Sequence, residues 1–167
     1  VEELRGIGIQ PDAVVCRSDR ELTQEVKDKI ALFCDIEKKA VIQVVDADHI
    51  YEVPLNLEKE GLANIIINKL NMKNRVHEPE LEDWKKMVEK IKGLTDRVTI
   101  AIVGKYIELP DAYISINEAL DHAGVANDHQ VNIKWIYAEN LEDNESSGEL
   151  FDEVDGILVP GGFGDRG

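Results

Sequence analysis

VTIAIVGK, Val98 to Lys105, decides the fold. Its unbroken run of apolar and β-branched residues reads as a strand covered on both faces, and Gly104-Lys105 opens the loop that follows. Downstream, Asp111 is placed to cap a helix reaching His122. Tyr113, Ile116 and Leu120 share one face of that helix, and Gly124 is placed to end it. VNIKWIYA alternates Val131, Ile133, Trp135 and Tyr137, the pattern of a half-buried strand. Residues 140–148 form an acidic loop, Glu149 to Val154 a short helix or turn, and GILVP the next strand. Strand, helix, strand, helix, strand is the opening of a parallel α/β domain.

Upstream the same logic appears once more. Ala13 to Cys16 and Ala40 to Val45 read as buried parallel strands. Between them Gln24 to Cys34 carries Val26, Ile30 and Phe33 at helical spacing. A second helix is expected from Leu57 to Leu70, with the β-branched run Ile65 to Ile67 inside it. The opening VEELRGIGIQPD reads as the end of a helix and suggests a piece of a longer protein. Polar residues then lead, through Pro79 at a first helical turn, into Leu81, Trp84, Val88 and Ile91, the apolar stripe of a surface helix ending near Gly93. The expected division is 1–76 for a first domain, 77–97 for a linker helix and 98–167 for a second domain.

The chain has 167 residues, of which 43% are hydrophobic, enough for a packed core. A formal net charge of −15 argues against nucleic acid or an anionic membrane as a partner, since both select basic surfaces. It leaves room for small anions held in a local basic pocket. Cys16 and Cys34 have neither metal-ligand spacing nor the number for a disulfide framework, and read as small buried hydrophobes. No apolar run has membrane-spanning length, and a cytoplasmic setting fits.

In an open parallel sheet, ligands sit beyond the carboxyl ends of the strands. Three loops occupy such places: Asp46-Ala47-Asp48, Gly104-Lys105-Tyr106, and Gly161 to Gly164. The glycine cluster lets a ligand approach bare N–H groups, or is simply a tight turn. Gly104-Lys105 lacks the earlier glycine of a P-loop, and Tyr106 stands where that motif needs Ser or Thr. Arg17 and Arg20 either hold phosphates or pair with Asp19. Asp46, Asp48 and His49 have the residue types for a metal but more readily make a turn cap. His77, His122 and His129 are scattered, and no nucleophile–base pair is visible.

In order, IGIQPDAVVCRSDR, KIALFCDI, VGKYIELPDAY and ILVPGGFGDRG closely resemble the CTP synthase family across essentially the whole chain. The resemblance implies the end of a P-loop-type parallel α/β synthetase (amidoligase) domain, a linker, and the first strands and helices of a flavodoxin-like class I glutaminase domain. It implies ATP-dependent amination of UTP to CTP with ammonia from glutamine, magnesium acting with ATP, GTP as activator, CTP as inhibitor, and a homotetramer. Carried over by position, Lys29 matches a lysine that contacts UTP or CTP. Arg17, Val45, Asp46 and Ala47 match the region around ATP. Gly162 matches the glycine that contacts glutamine and lends its backbone to the oxyanion hole, with Phe163, Gly164 and Arg166 completing that loop. Lys105, Tyr106, Glu108 and Asp111 match the lid linked to GTP activation, where Ile114 departs from a common family lysine. Magnesium ligands, the synthetase P-loop and the nucleophilic cysteine are expected outside this stretch, so the segment alone is expected to be inactive. The alternatives are a noncatalytic nucleotide-binding or oligomerisation module related to CTP synthase, and another class I amidotransferase. The synthetase-side phrases count against the latter.

Overall fold

The computed structural model describes residues 1–141 and 147–161. The expected glycine loop from Gly162 onward and the centre of the acidic loop lie outside the described residues. The chain divides into two compact units, Val1–Val88 and Glu89–Gly167. Both are α/β with parallel strands, as the pattern of runs predicts.

In the first unit, the short helix α1 (Glu2–Gly6) precedes strand β1 (Val14–Ser18), helix α2 (Gln24–Cys34) and strand β2 (Val41–Val45). The strands pair in parallel, with Val14 opposite Val41 and Ser18 opposite Val45. Thr23 caps α2 by accepting the Val26 N–H, and Asp35, at φ 52°, ends it in the left-handed region. The expected apolar face of α2 is corrected. Phe33 is 78% exposed, and Ala31 is the residue the helix buries. Periodicity located the helix, but only the strands beneath it select which of several apolar residues turn inward.

The expected single helix over Leu57–Leu70 is two helices, α3 (Val53–Lys59) and α4 (Leu62–Lys69). Gly61 breaks them with φ +80°, a conformation that β-carbon-bearing residues resist. Ile65 to Ile67 is helical, as expected. Val53, Leu57, Leu62 and Ile65 pack over Ala40, Ile42 and Val44, and Ile42 is fully buried. Helix α5 (Glu82–Gly93) contains the boundary between the units. Its Trp84 indole donates to the Tyr51 carbonyl at 2.8 Å and meets the Tyr51 ring edge-on.

In the second unit, strand β3 (Arg97–Gly104) is central, flanked by β4 (Gln130–Tyr137) and β5 (Gly156–Leu158), all parallel. Ala101, Val103 and Ile136 point to one face, where Ala138, Leu141, Leu150, Phe151 and Val154 cover them. Helix α6 (Ile114–Ala126) serves the opposite face: its Gly124 meets Val131, and Tyr113, just ahead of it, meets Trp135. Ile136 is therefore as much a core residue as its alternating neighbours, because this sheet is covered on both sides.

Two expectations about α6 change. Asp111 does not cap it; Asp111 lies in a 3₁₀ turn, Pro110–Tyr113, and the helix begins at Ile114. Gly124 does not end it but sits inside it, where a β-carbon would stand 2.6 Å from the His129 carbonyl oxygen. The glycine is there for close approach of the helix to the chain entering β4.

Candidate functional site

At the carboxyl ends of β1 and β2, a cavity of about 400 Å³ opens in the first unit. Val15, Val44, Val45, Ile50, Val53 and Leu57 give it apolar walls, and Arg17, Asp46 and Ala47 give it a polar edge. The cavity thus gathers Arg17, Val45, Asp46 and Ala47 in one place. Its position follows from the fold: parallel pairing of two strands leaves their last residues at the mouth, with the turn that follows β2 beside them.

Electrostatics at the mouth is nearly balanced. Arg17 Nε donates to Asp46 Oδ1 at 2.6 Å, and both side chains are half or more exposed. That bond holds the Arg17 guanidinium above its already high ordinary pKa. Arg20 pairs with the adjacent Asp19 and does not line the cavity. The Asp46 N–H is bonded to the Ser18 carbonyl at 2.9 Å, which extends the strand pairing by one residue. His49 is used as a cap: it accepts the Tyr51 N–H while Glu52 accepts the His49 N–H. Among the described residues, no group of three or more metal-binding side chains converges.

Elsewhere in the first unit, beside a separate cavity of about 150 Å³, lies a polar knot that residue spacing did not reveal. Glu60 Oε2 accepts from Lys27 Nζ at 2.8 Å and from the Gln43 N–H at 3.1 Å. Gln43 Oε1 in turn accepts the Leu22 N–H. Burial raises the Glu60 carboxyl, but Lys27, the Gln43 N–H and the nearby Lys59 outweigh it and hold the group below its ordinary range. Lys29, two residues from Lys27, is not in the cavity wall. It is exposed and pairs with Glu25 one helical turn back, at 2.8 Å. A larger cleft of about 680 Å³ in the same unit is lined by Glu58, Glu78, Glu80, Glu82 and Asp83, with Lys59 and Lys85. Its surplus of carboxylates repels phosphates, so the cavity at the carboxyl ends of β1 and β2 is the better candidate for a nucleotide.

Cys16 and Cys34 are free and half-buried. Burial and the neighbouring Cys34 raise the Cys16 thiol above its ordinary value, with Lys27 opposing. A thiol so held is a poor nucleophile.

In the second unit, the loop leaving β3 carries the other candidates. Lys105 pairs with Glu139 at 3.4 Å. Partial desolvation and Glu139 raise the Tyr137 phenol, Lys105 opposes, and Glu108 adds to the rise. Lys105, Glu108, Tyr137 and Glu139 therefore share one neighbourhood at the carboxyl ends of β3 and β4. Tyr106 is about half exposed, and Asp111 is exposed on its 3₁₀ turn. Gly162 lies outside the described residues.

Residues 1–72 match the family described as CTP synthase N-terminus, and residues 108–167 match glutamine amidotransferase class-I. Along its whole length the chain is 55% identical to a CTP synthase of Methanocaldococcus jannaschii. It is 56% identical to those of Carboxydothermus hydrogenoformans and Clostridium beijerinckii, again over all of the chain. Over its whole length the chain is homologous to these CTP synthases. It covers 32% of the first of these CTP synthases and 31% of the other two, so it spans about a third of their length. The whole-chain likeness to CTP synthases also takes in residues 73–107, which neither family match reaches and which include α5 and β3.

Proposed function

We propose that the protein containing this chain is a glutamine-hydrolysing CTP synthase, a C–N ligase of pyrimidine nucleotide synthesis in the cytoplasm. The observation that carries this reading is the succession, in one chain, of a CTP synthase N-terminal match and a class I glutamine amidotransferase match. A synthetase that consumes ammonia and a glutaminase that releases it have a chemical reason to be joined: confinement keeps ammonia from protonation and loss.

In this reading, residues 1–76 belong to the synthetase domain, 77–97 to the linker and 98–167 to the glutaminase domain. ATP phosphorylates O4 of UTP, giving ADP and a phosphate ester at that carbon. Ammonia from glutamine then displaces the phosphate to give CTP. The apolar cavity at the carboxyl ends of β1 and β2 suits a planar base, and main-chain groups past Asp46 read its edge in this proposal. Arg17, with Asp46 fixing its direction, supplies the cation at the rim. Lys29 serves UTP or CTP as a point charge on phosphate. Gly162 lends its backbone N–H to the glutamine adduct, and Lys105, Tyr106, Glu108 and Asp111 form the lid that responds to GTP. Magnesium bound with ATP would neutralise its phosphates; the described residues of this chain hold no group of three or more metal-binding side chains. The working assembly is a homotetramer.

The test uses the full-length protein with UTP, MgATP and glutamine, following CTP, ADP and glutamate by chromatography. Equal amounts of the three products support the reading. Tight CTP binding without glutamate release would instead favour a noncatalytic nucleotide-binding or oligomerisation module, and glutamate without CTP another amidotransferase.

A further inference from the structure

We infer that Tyr113 is the positioning residue for the loop that follows β3, holding Lys105 and Tyr106 in place through its ring and its hydroxyl. The inference rests on the lid role proposed above for that loop.

Tyr113 is 8% exposed although it lies in a short 3₁₀ turn next to exposed residues. Its ring packs on Trp135 of β4 with centroids 5.6 Å apart. The other contact is with Gly104, the last residue of β3. A β-carbon at that position would fall 2.5 Å from Tyr113 Oη and 2.9 Å from Cζ. Any side chain there would have to expel a ring that Trp135 holds from another side. Gly104 and Tyr113 are thus a matched pair, the glycine leaving the space that the phenol fills.

The hydroxyl does a second, separable thing. It accepts the Tyr106 N–H at 3.4 Å. From Tyr106 the loop closes on itself, since the Leu109 N–H donates to the Tyr106 carbonyl and the Ala112 N–H to the Leu109 carbonyl. The loop therefore starts and returns at one buried phenol. Lys105, next to this anchor, reaches Glu139, while Tyr106 and Leu109 present exposed side chains. Those outward groups are carried on a fixed base, which is what a lid needs to meet its ligand without first paying to order itself. The apolar pattern reads Tyr113 only as part of a helix face, and its pairing with Gly104 is what reveals the anchor.

The test compares wild-type full-length protein with Tyr113→Phe and Gly104→Ala. Tyr113→Phe keeps the ring and removes only the acceptor. Exchange at the Tyr106 amide is expected to speed up by about 2- to 10-fold, the worth of one modest hydrogen bond. Glutamine-dependent CTP formation is expected to fall by a similar factor while ammonia-dependent formation is unchanged. Gly104→Ala is expected to lower the glutamine-dependent rate further. Unchanged Tyr106 exchange in Tyr113→Phe, or equal loss of both rates, would overturn the inference. If the wild-type protein makes no CTP from either nitrogen source, the proposed function fails, and the exchange measurement still decides the anchor.

Discussion

Gly124 and Asn117 lie on the same helix, and substitutions at them are expected to act in opposite directions. Gly124→Ala gains helix propensity of about 1 kcal/mol. It also drives a methyl to 2.6 Å from the His129 carbonyl and 2.8 Å from Val131 Cγ2. Backbone cannot swing aside as a flexible side-chain tip can, so overpacking of about 1–3 kcal/mol wins. We expect a lower denaturation midpoint, measured by circular dichroism. Asn117 Oδ1 is buried with no hydrogen-bond partner among the described residues. Asn117→Leu removes that desolvated oxygen at similar volume and is expected to stabilise the fold by about 1 kcal/mol, read from the same melts. For binding, Arg17→Ala is expected to raise the KM for ATP several-fold in the full-length protein while leaving that for UTP unchanged. Parallel rises in both would remove Arg17 from the proposed ATP region.

Among the elements, α2, β2 and the junction of α3 with α4 are joined by the Glu60 knot. The carboxyl is held below its ordinary value, so the folded state favours the ionised form. Its stabilisation is present above the unfolded value and is lost as pH falls through the folded one. Glu60→Gln keeps an acceptor for the Gln43 N–H but breaks the pair with Lys27. The gap in urea midpoint between wild type and Glu60→Gln should be widest at neutral pH and narrow in acid, well below the ordinary value of 4.5. A gap that did not change with pH would show that packing, not charge, sets the difference. The elements themselves were largely legible beforehand. The strand runs at Val14, Val41, Val98, Val131 and Gly156 are local patterns, and each forms a strand. The Glu60 knot was not legible, because Lys27 and Glu60 are 33 positions apart and nothing in either neighbourhood names the other.

For the whole chain, each unit has its own core and its own tryptophan, Trp84 in the first and Trp135 in the second. Separate cores need not melt together. Trp84→Phe leaves Trp135 as reporter, and Trp135→Phe leaves Trp84. We expect the two fluorescence transitions in urea to differ in midpoint; coincident curves with equal slopes would show one cooperative unit.

By itself the sequence determined the α/β class, the order of the strands and most of the helices, and the likeness to CTP synthases, because periodicity and phrase order are properties of neighbours along the chain. Tertiary structure alone decided that Arg17 and Asp46 meet at one mouth, that Phe33 faces outward, that Gly61 splits a helix, and that Gly104 makes room for Tyr113. Each of these depends on which surfaces come into contact, and a contact between distant residues is a packing outcome that no local pattern encodes.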